Sequence, residues 1–308
     1  MSEKYCLLTN DVETTSIWLN ELRDNTGDKV LKEGMPILLD IYNQYNIKST
    51  FFFTAHIARL YPEVVKMILP FGHEVGSHGL THHKVDGFDD LPFEDQVIHL
   101  RDSKKILEDI PGQEVVSIRS PALRMSDRTV LALMEAAYKI DSSVASQRFD
   151  MFLSFGGIQK LKWLTSPRLP YRASRESIYK KGHSEIIEVP LTAMIFPYVG
   201  TTMRIFPWIT NMIKHFVNLE SSVTGKPVVF DIHPNEFIDE SDQPRRIKKR
   251  SDHLFASLLQ DTIRSRLKVR NLGEKAIPLY QRQIEFFQSR GYAFCSVKEY
   301  VQRLGFEL

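Results

Sequence analysis

The 308-residue chain reads as an α/β protein, a (β/α) barrel in one TIM-like domain. Three observations predict this. Short β-branched or aromatic runs alternate with amphipathic stretches along the whole length. No internal repeat, low-complexity tract or linker divides the chain, so residues 1–308 form one catalytic-type domain, with a polar and basic excursion expected at 239–270. Each conspicuous polar cluster, Asp11 with Glu13, His78 with His82, Arg119, and His233, follows a strand-like run, where barrels of this kind build their active sites.

The elements follow in order. Tyr5 to Thr9 is a short buried strand. Val30 to Tyr45 carries helical spacing in Val30, Met35, Leu38, Leu39, Ile41 and Tyr42, with Pro36 tolerable only near the start. Ser49 to Phe53 is β-branched and aromatic, hence a strand. Pro62 to Leu69 is helical, and Glu74 to Ser77 is the next strand. Leu91 to Ile110 is an amphipathic helix with Pro92 near its first position. Val115 to Ile118 is a strand, and Ser126 is placed to cap a helix running to Ala137. Later strands are expected at Glu185 to Val189, Val228 to Ile232 and Tyr292 to Cys295. A long helical stretch lies between the last two, and Val297 to Leu304 ends the chain as helix.

Composition narrows the function classes. A 43% hydrophobic, 25% charged chain is that of a soluble globular protein, and a net charge of +2 argues against a nucleic-acid partner. No apolar run is long enough to span a bilayer. The first residues lack the basic leader and apolar core of a signal peptide. Cys6 and Cys295 both sit in apolar strand-like settings and read as reduced thiols. A cytoplasmic address is the expectation.

His78 and His82 stand four residues apart, a spacing that on a helical turn puts two imidazoles on one face. Such a pair grips Zn²⁺ or another divalent transition metal once a carboxylate joins it. The bland alternative is two surface histidines; the Gly-rich approach at 72–76 and the end-of-strand position count against it. Asp11 and Glu13 alternate onto one side of an extended chain, with Val12 opposite. A helix N-cap explains one acid and leaves the other. One carboxylate as metal ligand and one as general base explains both, in either assignment. Arg119, before Ser120-Pro121, is placed to hold a carboxylate ionised, and His233, before Pro234, suits a general acid. The common reading of each alone is a surface arginine and a structural histidine.

With these residues in view, the chain resembles the polysaccharide deacetylases, the nodulation-factor deacetylase-like carbohydrate esterases. The resemblance rests on four motifs in order: Thr9-Asn10-Asp11-Val12-Glu13, Ser77-His78-Gly79-Leu80-Thr81-His82, Arg119-Ser120-Pro121 and Ile232-His233-Pro234. It implies an irregular (β/α) barrel of seven or eight strands and metal-dependent hydrolysis of an N-acyl or O-acyl group on a sugar. It implies Asp11 as catalytic base, His78 and His82 as metal ligands, Arg119 as the residue orienting the base and His233 as general acid. The first motif departs from the commonest pattern of two adjacent aspartates. Val12 takes the second place and Glu13 follows, as in branches with acid-Val-acid, which makes Glu13 the third ligand.

The expected partner is a saccharide, a nucleotide-linked sugar or a lipid-linked sugar bearing an acetyl or formyl amide. The run Met194 to Val217 is unusually aromatic and reads as barrel core with a covering helix. The sharper reading is a wall for an acyl or polyprenyl chain, or peripheral contact with a membrane, the basic run Arg245 to Arg250 then meeting phosphates. A non-catalytic carbohydrate-binding barrel and a non-sugar amide hydrolase on the same fold are the rivals.

Overall fold

The computed structural model describes residues 3–148, 158–244 and 264–308. Its strands are β1 (Lys4–Val12), β2 (Thr15–Ser16), β3 (Glu21–Leu22), β4 (Thr50–Phe53), β5 (Glu74–Ser77), β6 (Ser117–Ile118), β7 (Ile140–Asp141), β8 (Tyr171–Ser174), β9 (Ser177–Lys181), β10 (Ile187–Glu188), β11 (Val228–Ile232) and β12 (Tyr292–Phe294). Except for the small β2–β3 hairpin, all join one mixed sheet in the order β11-β1-β4-β5-β6-β7-β10-β8-β9, with β12 also on β1. The seven strands from β11 to β10 pair in parallel, and the β8–β9 hairpin adds antiparallel pairing at one edge. The expected alternation and the irregular barrel are therefore present, as a sheet curled into a half-barrel. The sequence pattern had not marked the β8–β9 hairpin.

β1 is the axis. Its last seven residues are buried, because it pairs with β11 through residues 6–10, with β4 through residues 9–12 and with β12 through residues 4–6. A parallel strand covered on both faces reads as a continuous apolar run, which is why Tyr5 to Thr9 was legible. Asn10 interrupts that run. Its Nδ2 donates to Ser49 Oγ (2.6 Å) and to Thr50 O (3.1 Å), so its burial fixes β1 against β4.

The Val30 to Tyr45 stretch is helical, but it starts as a π-helical turn, Val30–Gly34, before the α-helix Met35–Gln44, which takes Pro36 in its first turn. The helix expected from Leu91 to Ile110 runs from Phe93 to Asp109, and the C-terminal helix from Val297 to Arg303. Helix Thr129–Glu135 has no side-chain cap. Ser126 instead donates its backbone N–H to Thr129 Oγ1 (3.0 Å).

The 194–217 stretch splits by face. It enters helices Gly200–Ile205 and Pro207–Thr224. Thr210, Ile213, Val217 and Ser221 of the longer helix pack inward. Trp208, Met212, Phe216, Leu219 and Val223 form an exposed apolar stripe on the other side. Among the described residues, no helix is long and apolar enough to cross a membrane. The basic run 245–250 lies outside the described residues, as does much of the expected excursion at 239–270.

Candidate active site

The C-terminal ends of β1, β5, β6 and β11 are near neighbours in the sheet, so residues up to 222 positions apart meet at one mouth. Arg119 ties them together. It leaves β6 fully buried, and its guanidinium lies 4.5 Å over the Phe52 ring. Nη1 donates to Thr9 Oγ1 (2.8 Å), Asp11 Oδ1 (3.0 Å) and Asp231 Oδ1 (2.8 Å). Nε and Nη2 donate to Ser142 O and Ser142 Oγ, both at 2.9 Å. Phe52 can lie there because β5 carries Gly76 beside it: a Cβ at that position would stand 2.5 Å from Phe52 Cδ1. Gly76 thus makes room for the ring that carries the arginine.

Two groups of titratable side chains flank that arginine. The first is Glu13, His78 and His82, each with a ligand atom within 4.8 Å of the others. His78 Nδ1 lies 2.8 Å from Arg119 O. A carbonyl only accepts, so Nδ1 carries the proton and Nε2 is left with its lone pair turned to the cluster. His82 Nδ1 stands 3.2 Å from Glu13 Oε2, and that buried oxygen has no hydrogen-bond partner among the described residues. An orphaned carboxylate oxygen facing two imidazoles is the donor set of a divalent cation site, so the residues fit the expected metal. Burial holds the His78 imidazole down to about 4, against the pull of Asp11, and keeps it neutral as a ligand must be.

The helical turn expected for His78 and His82 is absent. The stretch is irregular, reversed at Gly79 (φ +71°), and its carbonyls at Gly79 and Leu80 accept from Ala55 N and His56 N at 2.9 Å. The two rings still end 5.5 Å apart. A loop pinned to the end of β4 does what a helix face would have done.

The second group is Asp11, Asp231 and His233. Burial opposes ionisation of Asp11, but Arg119, then His78 and His233, hold its carboxyl below the usual carboxylate range. Burial and the charge of Asp11 push Asp231 the opposite way. One arginine bridging two buried acids favours one ionised carboxylate, and the opposite shifts of the pair make that carboxylate Asp11. Asp11 Oδ2 lies 3.8 Å from His78 Nε2, so the ionised acid borders the metal cluster.

His233 keeps about a quarter of its side chain exposed, with Nε2 4.0 Å from Glu13 Oε1. Burial works against its charge, but Glu236, Asp231 and Asp11 raise it to about 10, so it is protonated at neutral pH. Its Nδ1 lies 3.4 Å from Glu236 Oε1 and 3.8 Å from Asp231 Oδ2. Glu236 is itself fully buried and pairs with the buried Arg204.

The six residues expected from the sequence, Asp11, Glu13, His78, His82, Arg119 and His233, therefore face one mouth. Asp231, Glu236 and Arg204 were missed. Asp231 had a signal, an acid inside the otherwise apolar run Val228 to Ile232, on the same side of the strand as His233. Glu236 and Arg204 had little, since a charge near an apolar stretch is ordinarily solvated.

Residues 24–140 match the polysaccharide deacetylase family model. A peptidoglycan deacetylase of Helicobacter pylori is 28% identical over 116 residues, 38% of this chain and 39% of that protein. A peptidoglycan-N-acetylglucosamine deacetylase of Bacillus cereus is 32% identical over 89 residues, 29% of this chain and 31% of that protein. The chain thus matches less than half the length of either relative. A crystal structure from Mycobacterium smegmatis, assigned as a polysaccharide deacetylase, superposes over 96% of this chain and 94% of its own with a TM-score of 0.54 at 18% identity, a likeness of fold.

Proposed function

We propose that the chain, whose residues 24–140 match the polysaccharide deacetylase family model, hydrolyses the acetyl or formyl amide of an amino sugar carried in a saccharide or sugar conjugate. The observation that carries this reading is the pairing of an ionised, arginine-held carboxylate, Asp11, with a protonated imidazole, His233, across the Glu13–His78–His82 cluster. Amide hydrolysis needs a base to take a proton from water and an acid to give one to the departing amine. The two groups have environments that push their pKa values apart in the required directions.

In the proposed reaction Asp11 Oδ2, the oxygen not bonded to Arg119, accepts the proton of the attacking water. Arg119 holds Asp11 in place and keeps it ionised. His233 delivers its proton from Nε2 to the leaving nitrogen, and the Glu236 carboxylate stabilises its charge until then. Glu13, His78 and His82 would hold a divalent cation, Zn²⁺ in the first instance, which when bound would supply Lewis-acid polarisation at the same mouth.

Acetylated and formylated glucosamine oligomers, a nucleotide-linked N-acetyl sugar and a non-sugar N-acyl amide, each with and without chelator, test the proposal. Chelator-sensitive acid release from a sugar supports it. Release from the non-sugar amide alone sinks the saccharide assignment, and no release from any substrate favours a binding barrel. A cytoplasmic precursor sugar is part of the proposal, supported by the two buried free thiols, Cys6 and Cys295. The exposed stripe Trp208 to Val223 supports peripheral contact with a membrane bearing a lipid-linked form.

A further inference from the structure

We propose that Glu236, locked by Arg204, is the residue that positions His233 as proton donor; this rests on the deacylation reading above. Glu236 and Arg204 are 0% and 1% exposed. Two such charges are costly to desolvate, and a buried ion pair is rarely more stable than an apolar replacement. Their placement has a use beyond stability. Arg204 Nε binds Glu236 Oε2, and Arg204 Nη1 donates to Lys268 O and Arg270 O, both at 2.9 Å. The arginine is fixed from two sides and commits Oε2, which leaves Oε1 for His233. That oxygen accepts the His233 backbone N–H (3.3 Å) and lies 3.4 Å from its Nδ1.

The packing around this turn leaves little room for another arrangement. A Cβ on Gly200 would stand 2.4 Å from Glu236 Oε1, and one on Gly34 would stand 2.4 Å from Pro234 O. Two separate helical segments thus approach the His233–Glu236 turn closely enough that only glycine fits. With Nδ1 turned to a carboxylate, Nε2 is the nitrogen left to face the mouth. Asp231 is the other carboxylate near Nδ1, but its Oδ1 is taken by Arg119 and its Oδ2 is farther, at 3.8 Å. The competing role for Glu236 is purely structural, as the residue that closes the turn Pro234–Phe237.

The nature of the leaving group separates the two roles. An amine must be protonated as it departs, whereas 4-nitrophenolate leaves without help. Hydrolysis of acetylated glucosamine oligomers and of 4-nitrophenyl acetate is measured for wild type, Glu236→Gln, His233→Ala and the double variant, with thermal melting as a fold control. Glutamine still accepts the backbone N–H, so the turn can close without the charge. Positioning predicts that Glu236→Gln loses at least about tenfold more on the amide than on the ester, within the range general-acid catalysis supplies. It further predicts that Glu236→Gln adds little once His233 is alanine. Equal loss on both substrates, or additive losses in the double variant, overturns the proposal. If a lone Arg204 charge unfolds Glu236→Gln, the neutral pair Glu236→Gln/Arg204→Met is read by the same amide-to-ester ratio. A wild type inactive on every acetylated sugar overturns the parent reading and this one with it; equal losses overturn this one alone.

Discussion

Replacing Arg119 with alanine should produce a destabilisation that grows with pH. The arginine is fully buried and makes five hydrogen bonds, to Thr9, Asp11, Asp231 and twice to Ser142. Removing it strands two buried acids, a defect that costs about 3–5 kcal/mol when a buried ion pair loses one member. The wild-type sign follows from Asp11: its folded pKa lies below its unfolded one, so its contribution is present above the unfolded value and lost only in strong acid. Asp231 is already raised in the wild type; in the variant, burial without the cation raises Asp11 above its unfolded value as well, so more stability is lost as pH rises through the carboxylate range. Urea unfolding of both proteins at pH 4.5 and pH 8 reads this difference. The gap between them should be smallest at the lower pH and approach the full figure at the higher. The acid limb of the pH–rate profile should move upward as well, because the base now holds its proton longer. A destabilisation independent of pH, or an unmoved acid limb, would refute the claim that Arg119 acts by keeping Asp11 ionised.

Two further consequences follow from the packing. Asp141 and Glu188 face each other across β7 and β10, both fully buried, and Asp141 Oδ2 and Glu188 Oε2 lack any donor among the described residues. Burial raises both, so the folded pair retains a proton that the unfolded chain releases, and stability falls as pH rises past the ordinary carboxylate range. Glu188→Gln should flatten that slope and raise stability at pH 8 relative to the wild type; an unchanged slope of melting temperature against pH would contradict it. Gly76→Ala should cost about 1–3 kcal/mol by overpacking, since its methyl meets the Phe52 ring. Because Phe52 carries Arg119, deacetylation should fall more than the stability loss explains; a variant less stable but equally active would break the link between glycine, ring and arginine.

What the sequence disclosed, and what it hid, follows from the range of the interactions involved. The β/α alternation was legible because parallel strands bury both faces and read as apolar runs, as in Val228 to Ile232. The site residues were legible because each follows such a run. The conformation between His78 and His82 was not, because the loop is held by hydrogen bonds from Ala55 and His56, more than twenty residues earlier. The β8–β9 hairpin escaped because its Arg, Ser, Glu and Lys residues resemble a solvated loop. Arg204 and Glu236 were invisible because a charge in sequence says nothing about burial until its partner is known.

The most direct test of the central claim compares Asp11→Asn with Glu13→Ala, measuring bound divalent metal and acetate release from N-acetylglucosamine oligomers on the same preparations. The account predicts that Asp11→Asn keeps one metal ion per chain while losing deacetylation by at least about a hundredfold, the scale of a lost general base. It predicts that Glu13→Ala loses the metal along with activity. Near wild-type acetate release from Asp11→Asn, or loss of metal from Asp11→Asn while Glu13→Ala retains it, would contradict the account.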